Sequence, residues 1–365
     1  MASPMRAVKQ AAKGIPYLNQ ELRRRTSMST GRVFATPTTY YVISTGRCNI
    51  ACPYCSIHRH VDPTLSSEVF FRIIREAKQL SRSGFRIQLS GGEPMIYKPL
   101  YDALALAHEL HIDFGFTTNG HGLNKSNVAK ILAFDPFNIN VSLDAIDATI
   151  NEALRPMKDG TRRTLEGIEN ILAEKERTGA RVSIVIKPTI MDQNYKNLPD
   201  LVRYFGKNSK VQIHFQPYVG ETTDDPFYVK DISTLKNVLE ELIQLRHEGY
   251  PIIGQEQTFR DFLNYFTDPP SNGDGIRHLD LGGQKRNCDI GLRSMFIYPN
   301  GDVMFCDFLK QAIGNIHNQS LREIYYGVVA GEQRDKMIYC NIDCQQTCKR
   351  PTPLLEKARS FMRMG

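Results

Sequence analysis

The regular alternation of strand-like and helix-like segments between residues 38 and 217 constrains the fold of this chain more than any other feature. Apolar residues at helical spacing lie between the strand-like runs, at 66–82, 98–110, 124–133, 161–178 and 195–205. Strands that alternate with helices form a parallel sheet with right-handed crossovers. The runs are rich in Val, Ile, Phe or Thr, as buried strands are, and occupy residues 39–44, 86–89, 112–117, 138–143, 182–187 and 211–217.

Six strand–helix units are too few for a closed eightfold barrel, so they favour an α/β fold with a partial (β/α)6 TIM-like barrel. Functional sites in such folds lie at the carboxyl ends of the strands. Four polar or cysteine-rich segments follow predicted strand ends, at 48–55, 90–94, 118–120 and 142–144. We therefore expect these four segments to meet at one edge of the sheet.

The chain beyond residue 217 is less regular. A helix is predicted at 231–248, and the polar stretch 268–284 is typical of a linker or lid. A β-hairpin is predicted with strands 293–298 and 303–306, and a helix near 320–335 precedes a cysteine-rich tail. These patterns divide the chain into a leader helix (1–37), the barrel (38–220), a connecting helix and loop (221–285), an auxiliary domain (286–350) and a tail (351–365).

The net charge of +7 is concentrated at the amino end of the chain. Residues 1–35 contain seven Lys or Arg and one Glu, so they carry 7 − 1 = +6, which leaves +1 for the remainder. A nucleic-acid partner is therefore not expected, because the body of the protein is not basic. No apolar run approaches the roughly 18 residues of a membrane span, and no signal peptide is evident. A cytoplasmic location is expected.

The basic leader also carries an apolar stripe, which Gly14 and Pro16 are expected to interrupt. We expect the stripe to pack on the body of the protein. The alternatives are contact with an anionic membrane surface, which would make the protein membrane-peripheral, or an arm that handles substrate. The stripe consists of Val8, Ala11, Ile15, Leu18 and Leu22.

The eight cysteines form two groups, three between 48 and 55 and five between 288 and 348. A cytosolic compartment keeps thiols reduced, so disulfides are not expected. Two groups of thiols separated by a long thiol-free segment predict two metal sites.

The first group has the spacing Cys48-x3-Cys52-x2-Cys55 and directly follows the first predicted strand. Structural zinc usually has four ligands, and no fourth cysteine is near, although His58 or His60 offers an alternative zinc site. Three thiolates on one loop suit a [4Fe–4S] cluster that keeps one iron open for a ligand.

This spacing, with the aromatic Tyr54 before the last cysteine, resembles the signature of the radical S-adenosylmethionine (SAM) superfamily. The resemblance implies that the open iron binds SAM and that one electron cleaves SAM to a 5′-deoxyadenosyl radical, which abstracts a hydrogen atom from a substrate. It makes Cys48, Cys52 and Cys55 the predicted metal-binding and catalytic residues. Tyr54 would lie near the adenine, with an ordinary core position as the alternative.

Later strand ends extend the resemblance. Gly91-Gly92-Glu93-Pro94 resembles the family's GGEP motif, in which the glycines let the backbone approach the ligand and the Glu93 carboxylate pairs with the SAM ammonium group. Segments 118–120 and 142–144 resemble its TNG and SLD segments. The implied cofactor-binding residues are Tyr54, Gly91, Gly92, Glu93, Asn119, Ser142, Asp144, Arg155 and Gln216.

For four of these residues the resemblance implies a specific contact with SAM. Ser142 and Asp144 are implied ribose ligands, and capping of the following turn is the alternative for both. Arg155 is implied to contact the SAM carboxylate, and Gln216 to face the adenine. Weaker candidates on the fifth strand and the segment after it are Lys187 and Asn194.

The second cysteine group resembles the family's C-terminal SPASM/twitch extension, which holds auxiliary [4Fe–4S] clusters. Its five thiols suffice for one such cluster, which favours the shorter twitch form. Cys288 and Cys306 are the expected ligands, joined by two of the three later cysteines, and a zinc ribbon is the alternative. The predicted metal-binding set of this region is Cys288, Cys306, Cys340, Cys344 and Cys348.

The resemblance implies a radical SAM enzyme that a flavodoxin- or ferredoxin-type electron donor reduces. Only about 37 residues precede the first strand, so we expect a small-molecule, sugar-like or lipid-like substrate rather than a peptide held by an additional domain. The alternative is a maturase that epimerises, crosslinks or oxidises a ribosomal peptide. A second alternative is a non-catalytic iron–sulfur or zinc protein, which would have no need of Glu93.

Overall fold

The structure is a computed structural model that describes residues 4–59, 63–207, 209–219, 224–267, 288–306 and 311–337, with side chains from residue 15 onward. The helices are α1 (Pro4–Thr30), α2 (Ser67–Ser81), α3 (Leu100–Glu109), α4 (Lys125–Leu132), α5 (Ala148–Leu154), α6 (Gly160–Thr178), α7 (Leu198–Phe205), α8 (Ile232–His247), α9 (Glu256–Thr267), α10 (Ile290–Arg293), α11 (Leu321–Tyr326) and α12 (Val328–Met337). The strands are β1 (Thr39–Ile43), β2 (Arg86–Ser90), β3 (Asp113–Thr118), β4 (Asn138–Val141), β5 (Ser183–Ile186), β6 (Thr189–Ile190), β7 (Val211–Ile213), β8 (Gln216–Pro217), β9 (Ser294–Ile297), β10 (Asp302–Met304) and β11 (Gly314–Asn315).

Six parallel strands form the centre of the main sheet in the order β1-β2-β3-β4-β5-β7. Each of these strands begins within two residues of the first residue of a predicted strand. The α/β fold with a partial (β/α)6 barrel is therefore confirmed. One face of the sheet is apolar and buried, as in Tyr40 and Val42 of β1 and Phe114 and Phe116 of β3. That face belongs to the same hydrophobic core as helix residues such as Ile73, which leaves the alternate, more polar positions on the other face.

The C-terminal hairpin, which lies within the predicted auxiliary domain (286–350), extends this sheet. β9 pairs in parallel with β1, and β10 pairs antiparallel with β9. The resulting sheet has nine strands, with β11 at its edge. An edge strand exposes unpaired backbone groups, and β9 satisfies those of β1. The hairpin and the first strand of the barrel therefore form one continuous structure.

The leader forms one long helix, so the predicted interruption at Gly14 and Pro16 is wrong. The turn before β2 packs closely against it: a Cβ on Gly84, whose φ is 70°, would lie 2.6 Å from the carbonyl oxygen of Pro16. The Tyr17 hydroxyl donates to Oδ2 of Asp113 at 2.6 Å, and Nε2 of Gln20 donates to Oγ1 of Thr36 at 2.8 Å. These partners lie at the amino ends of the strands, so α1 crosses that end of the sheet.

The predicted packing face of the leader is also wrong for the side chains that the structure describes. Ile15, Leu18 and Leu22 are 56%, 41% and 58% exposed, whereas Gln20 and Ser27 on the other side are buried. The helix docks through its polar face because polar side chains find partners on the body. No described helix is long and apolar enough to cross a membrane.

Candidate active site

The cysteine loop follows the carboxyl end of β1 and docks on the loop after β2. The amide of Gly92 donates to the carbonyl of Thr45 at 2.7 Å, and the amide of Glu93 donates to the carbonyl of Arg47 at 2.9 Å. A Cβ on Gly91 would lie 2.6 Å from the Thr45 carbonyl oxygen, and one on Gly92 only 1.8 Å from that of Arg47. The two glycines therefore make room for the cysteine loop itself.

The three thiols occupy positions of different exposure. Cys52 is buried, whereas Cys48 and Cys55 are partly exposed. Burial raises the pKa of Cys48 and raises that of Cys52 to about 11, while the positive charge of Arg155 opposes the shift of Cys52. Within the described part of the chain, no group of three or more His, Cys, Asp or Glu side chains is placed to hold a metal ion. Cys thiolates are the groups that hold iron–sulfur clusters, so the three thiols would suit a cluster rather than a single ion.

Glu93 lies beneath the cysteine loop and is 1% exposed. Its Oε1 accepts from the Met95 amide at 2.9 Å and the Thr118 hydroxyl at 2.7 Å, and its Oε2 accepts from the Asn119 amide at 2.7 Å. Burial raises the pKa of Glu93, and these hydrogen bonds oppose the shift. The carboxylate is thus held in place by neutral donors.

Asn119 links the third strand end to the cysteine loop. Its Nδ2 donates to Oδ1 of Asn49, the residue after Cys48, at 2.7 Å. Its Oδ1 accepts from the amide of His121 at 3.0 Å. The predicted meeting of the segments after β1, β2 and β3 is therefore present in the structure.

Asp144, after β4, is fully buried, and protein donors occupy both of its carboxylate oxygens. Oδ2 accepts from Tyr54 at 2.8 Å and from Nε of Arg155 at 2.7 Å, and Oδ1 accepts from the amide of Thr189 at 2.8 Å. The adjacent Asn194 is also fully buried and donates to the Asp144 carbonyl at 2.8 Å. This geometry gives Asp144 a positioning role for Tyr54 and Arg155.

Tyr54 lies between this ion pair and an aromatic group that sequence analysis missed. The Arg155 guanidinium is 5.6 Å from the centre of the Tyr54 ring. Tyr218 and Phe227 make edge contacts with the same ring at 6.4 and 6.0 Å. Tyr218 directly follows β8, so its position after a strand end was the available signal. Burial strongly raises the pKa of Tyr54, which therefore stays a hydrogen-bond donor.

The remaining predicted residues of this edge lie on neighbouring strand ends. Ser142 follows β4 and is tied to β3 by its amide, which donates to the Thr118 carbonyl at 2.9 Å. Gln216 begins β8 and is partly exposed. Lys187 follows β5, and its Nζ lies 3.0 Å from Nδ1 of His214, a residue that sequence analysis missed. Burial and the charge of Lys187 lower the pKa of His214.

The described auxiliary cysteines lie at the other end of the sheet. Met304 pairs with Phe296, which places Cys306 near the amino end of β9. Cys288 precedes α10, which leads directly into the same end. Arg24 of α1 pairs with Asp289, the residue after Cys288. The other predicted ligands, Cys340, Cys344 and Cys348, lie outside the described residues.

Two family models match this architecture. The model of the radical SAM superfamily matches residues 42–205, and the model of an iron–sulfur cluster-binding domain, SPASM, matches residues 288–350. A probable GTP 3′,8-cyclase from Methanosarcina mazei is 30% identical over 234 residues, which are 59% of this chain and 67% of the cyclase. The chain belongs to the radical SAM superfamily. As a radical SAM enzyme with a SPASM domain, it uses a [4Fe–4S] cluster, SAM and auxiliary iron–sulfur ligation, as predicted.

Other similar proteins have names other than GTP 3′,8-cyclase. The mycofactocin maturase of Mycolicibacterium smegmatis is 30% identical over 281 residues, 74% of this chain, and the chain spans 64% of that maturase. Among solved structures, Streptococcus suis SuiB bound to S-adenosylmethionine has a TM-score of 0.64 at 19% identity, with 87% of this chain and 72% of SuiB covered. Native anSMEcpe with bound AdoMet has a TM-score of 0.57 at 16% identity, with 90% of this chain and 96% of anSMEcpe covered. At these identities the two structures share the fold.

Proposed function

We propose that this radical SAM enzyme is a maturase that modifies a ribosomally made peptide. The observation that carries the proposal is the similarity to mycofactocin maturase over 281 residues. The likeness of fold to SuiB, which has been solved bound to the precursor peptide SuiA, supports it. These comparisons favour the peptide alternative over the small-molecule or lipid-like substrate that we expected first.

The position of the leader also weakens the argument for a lipid-like substrate. That argument joined a membrane-seeking leader to the substrate site. In the structure Tyr17 and Gln20 of α1 bind the amino ends of strands, whereas the cysteine loop and Glu93 lie at the carboxyl ends. A bilayer that touched α1 would not lie against the edge where the reaction takes place.

A nucleotide is the second candidate substrate, because GTP 3′,8-cyclases match at comparable identity. The cyclase of Staphylococcus haemolyticus is 28% identical over 251 residues, which cover 66% of this chain and 67% of the cyclase. The same assay that tests a peptide can therefore carry GTP as a separate arm.

The residues of the cysteine loop fit the cluster that the family uses. We assign Cys48, Cys52 and Cys55 as its ligands, because three thiols on one loop leave the fourth iron open. Burial raises the pKa of the Cys52 thiol, and a metal that replaced its proton would stabilise the thiolate. A cluster held there would supply the electron for reductive cleavage of SAM to methionine and a 5′-deoxyadenosyl radical, and that radical would take a hydrogen atom from the substrate.

The chain's own residues hold and orient SAM around that loop. Glu93, held by three neutral donors, offers a carboxylate to the SAM ammonium group. Asp144 fixes Arg155 and Tyr54, which places a guanidinium and an aromatic ring beside the cluster loop. Gly91 and Gly92 keep the loop seated on Glu93, and Ser142, Asn119 and Gln216 supply polar groups from neighbouring strand ends.

The auxiliary site is proposed to hold one [4Fe–4S] cluster on Cys288, Cys306 and two of the three later cysteines. In sequence order Cys288 precedes β9 and Cys306 follows β10, at the end of the sheet opposite the SAM site. A flavodoxin- or ferredoxin-type protein is the proposed electron donor.

Metal analysis and SAM cleavage test the cofactor assignment. Anaerobically reconstituted protein is expected to hold about eight irons, and a Cys48→Ala, Cys52→Ala, Cys55→Ala variant about four. The reduced protein should release 5′-deoxyadenosine and methionine, and the triple variant neither. Zinc in place of iron after anaerobic purification would support the non-catalytic zinc alternative.

A peptide assay tests the substrate class. The probes are a synthetic peptide encoded by a short reading frame beside the gene, GTP, and a deuterated form of whichever probe is active. The peptide should raise 5′-deoxyadenosine release and change in mass, with deuterium appearing in 5′-deoxyadenosine. Turnover of GTP with no response to the peptide would replace the peptide proposal by the nucleotide candidate.

A further inference from the structure

The outward face of α1 has no role in the site described above. Its apolar residues Ile15, Leu18 and Leu22 recur at helical spacing and are 56%, 41% and 58% exposed. An apolar stripe on a soluble helix normally faces the core. Here the opposite face is already fixed to the body, so the stripe cannot turn inward without breaking those contacts.

The contacts that fix α1 are polar and distributed along the helix. Tyr17 bonds Asp113 at 2.6 Å, Gln20 bonds Thr36 at 2.8 Å, and Arg24 pairs with Asp289. Oγ of Ser27 accepts from the amides of Phe34 and Ala35 at 2.9 and 3.1 Å. Four anchoring side chains on one side define a single orientation for the stripe on the other.

The charge around the stripe is of one sign. Glu21 is the only acidic residue among residues 1–35, and it is buried against Arg24. The Arg25 side chain is 54% exposed, although its Nε pairs with Oε1 of Glu21 at 3.1 Å. Arg23 and Arg32 are exposed as well. The solvent side of this segment therefore presents apolar side chains between arginines, without a carboxylate.

We propose that the outward face of α1 docks the enzyme on an anionic membrane surface. An apolar helix face flanked by basic residues lies in the headgroup region of a bilayer, and each basic residue adds attraction to anionic lipid. A second copy of this chain would bring two positive faces together. Because α1 crosses the amino ends of the strands, the active-site edge would face away from the bilayer, towards a substrate in solution.

Co-sedimentation of the full chain with phosphatidylcholine vesicles, with and without phosphatidylserine, tests the proposal. The protein should bind the anionic vesicles, and high salt should release it because screening shortens the reach of surface charges. An Ile15→Gln, Leu18→Gln, Leu22→Gln variant should lose binding by more than about tenfold. An Arg23→Gln, Arg32→Gln variant should lose about thirtyfold.

The matched control is Val328→Gln, Val329→Gln, which removes exposed apolar side chains from α12 (78% and 43% exposed). It should bind vesicles as the parent does. All three variants should keep the parent's unfolding midpoint and 5′-deoxyadenosine release, since none touches the site. These two readouts separate a failure of docking from a failure of the proposed function.

Three results would overturn the proposal. One is equal sedimentation of the parent and the stripe variant, or none of either. Another is self-association of the parent that the stripe variant loses, which would assign the face to a second copy. The third is binding to poly-glutamate as strong as to anionic vesicles and unchanged in the stripe variant, which would indicate an acidic macromolecule as the partner.

Discussion

Two buried carboxylates at the carboxyl edge of the sheet, Glu93 and Asp144, have opposite electrostatic surroundings. Glu93 is 1% exposed and Asp144 is inaccessible. Asp144 already holds a cation, because Nε of Arg155 donates to it at 2.7 Å. Glu93 accepts hydrogen bonds from two backbone amides and the Thr118 hydroxyl, and the charge of Arg155 also acts on it, lowering its pKa. Among the described residues, Asp144 is paired directly with a cation, whereas Glu93 is oriented by neutral donors and feels the Arg155 charge without a hydrogen bond to it.

This difference separates a structural carboxylate from one that is prepared for a ligand. A buried charge is costly unless it is paired, so burial raises the pKa of Glu93. The ammonium group of SAM would supply the missing cation. The ion pair of Asp144 instead holds the ring and the guanidinium that border the same site. The two carboxylates should therefore respond differently to the same conservative change.

The largest effect is expected for Asp144→Asn. The substitution leaves the Arg155 guanidinium buried without its partner and places an amide where two donors point. Loss of one partner of a buried ion pair costs about 3–5 kcal/mol. Urea unfolding of the anaerobic protein should show this loss in the free energy of unfolding.

Asp147→Asn is the matched control for that measurement. Asp147 is an exposed N-cap of α5, accepting from the amides of Thr149 and Ile150, and Asn caps helices equally well. The control should stay near the parent. An Asp144→Asn, Arg155→Met double variant should recover part of the lost stability. A single variant as stable as the control would end the structural role of Asp144.

Glu93→Gln should lower SAM affinity more than stability, the reverse of Asp144→Asn. SAM affinity should fall by about 10- to 100-fold, because a hydrogen bond to a charged group contributes about 1.5–3 kcal/mol. Stability should change little, since removal of the buried charge offsets the poorer fit of the amide to its donors. Equilibrium dialysis of SAM against the anaerobic protein measures the affinity, and unchanged binding would exclude Glu93 from the site.

The pH dependence of Glu93 has a definite sign. Because its pKa is raised in the folded chain, the native state holds the proton more tightly than the unfolded state does. Without SAM, its contribution to stability therefore decreases as pH rises from its usual pKa through the raised one. SAM affinity should increase over the same interval as the carboxylate forms. In Glu93→Gln the slope of SAM affinity should be absent, and the stability slope should lose this contribution.

Tyr54→Phe is expected to have a smaller effect. It removes one of the three donors of Asp144, while the ring contacts with Arg155, Tyr218 and Phe227 remain. The expected loss of stability is about 1.5 kcal/mol, with SAM affinity close to the parent's. Tyr204→Phe, at an exposed position, is the control. A loss of stability as large as that of Asp144→Asn would show that the Asp144–Arg155 ion pair depends on the Tyr54 hydroxyl.

The sequence predicts the strands and this edge well because both depend on local pattern. Apolar runs identify the six central strands, and parallel pairing then brings Glu93, Asn119 and Asp144 together. The outward face of α1 was not predictable in this way. Tyr17 and Arg24 bind residues 96 and 265 positions away, and apolar spacing carries no information about such partners. The pairing of Lys187 with His214 was missed for the same reason, and the short α5 was also not predicted.

The smallest expected effect concerns His121, whose amide donates to the side chain of Asn119, a neighbour of Glu93. Burial, followed by the charge of Arg163, lowers its pKa to about 4, with Arg155 and Glu152 acting in opposite directions. The native state therefore binds fewer protons than the unfolded state between about 4 and the usual value near 6.5. This part of the stability is present above pH 6.5 and is lost as pH falls towards 4.

His121→Gln should reduce that loss without removing it, because His214 also has a lowered pKa. Urea midpoints at neutral and mildly acidic pH, for the parent and the variant, measure the difference. His317→Gln, at an exposed position, should leave the dependence unchanged. Because His121 is neutral near pH 7, its titration should not appear in the pH profile of SAM cleavage at that pH. Equal midpoint shifts in both variants would contradict the assignment of this acid-side loss to His121.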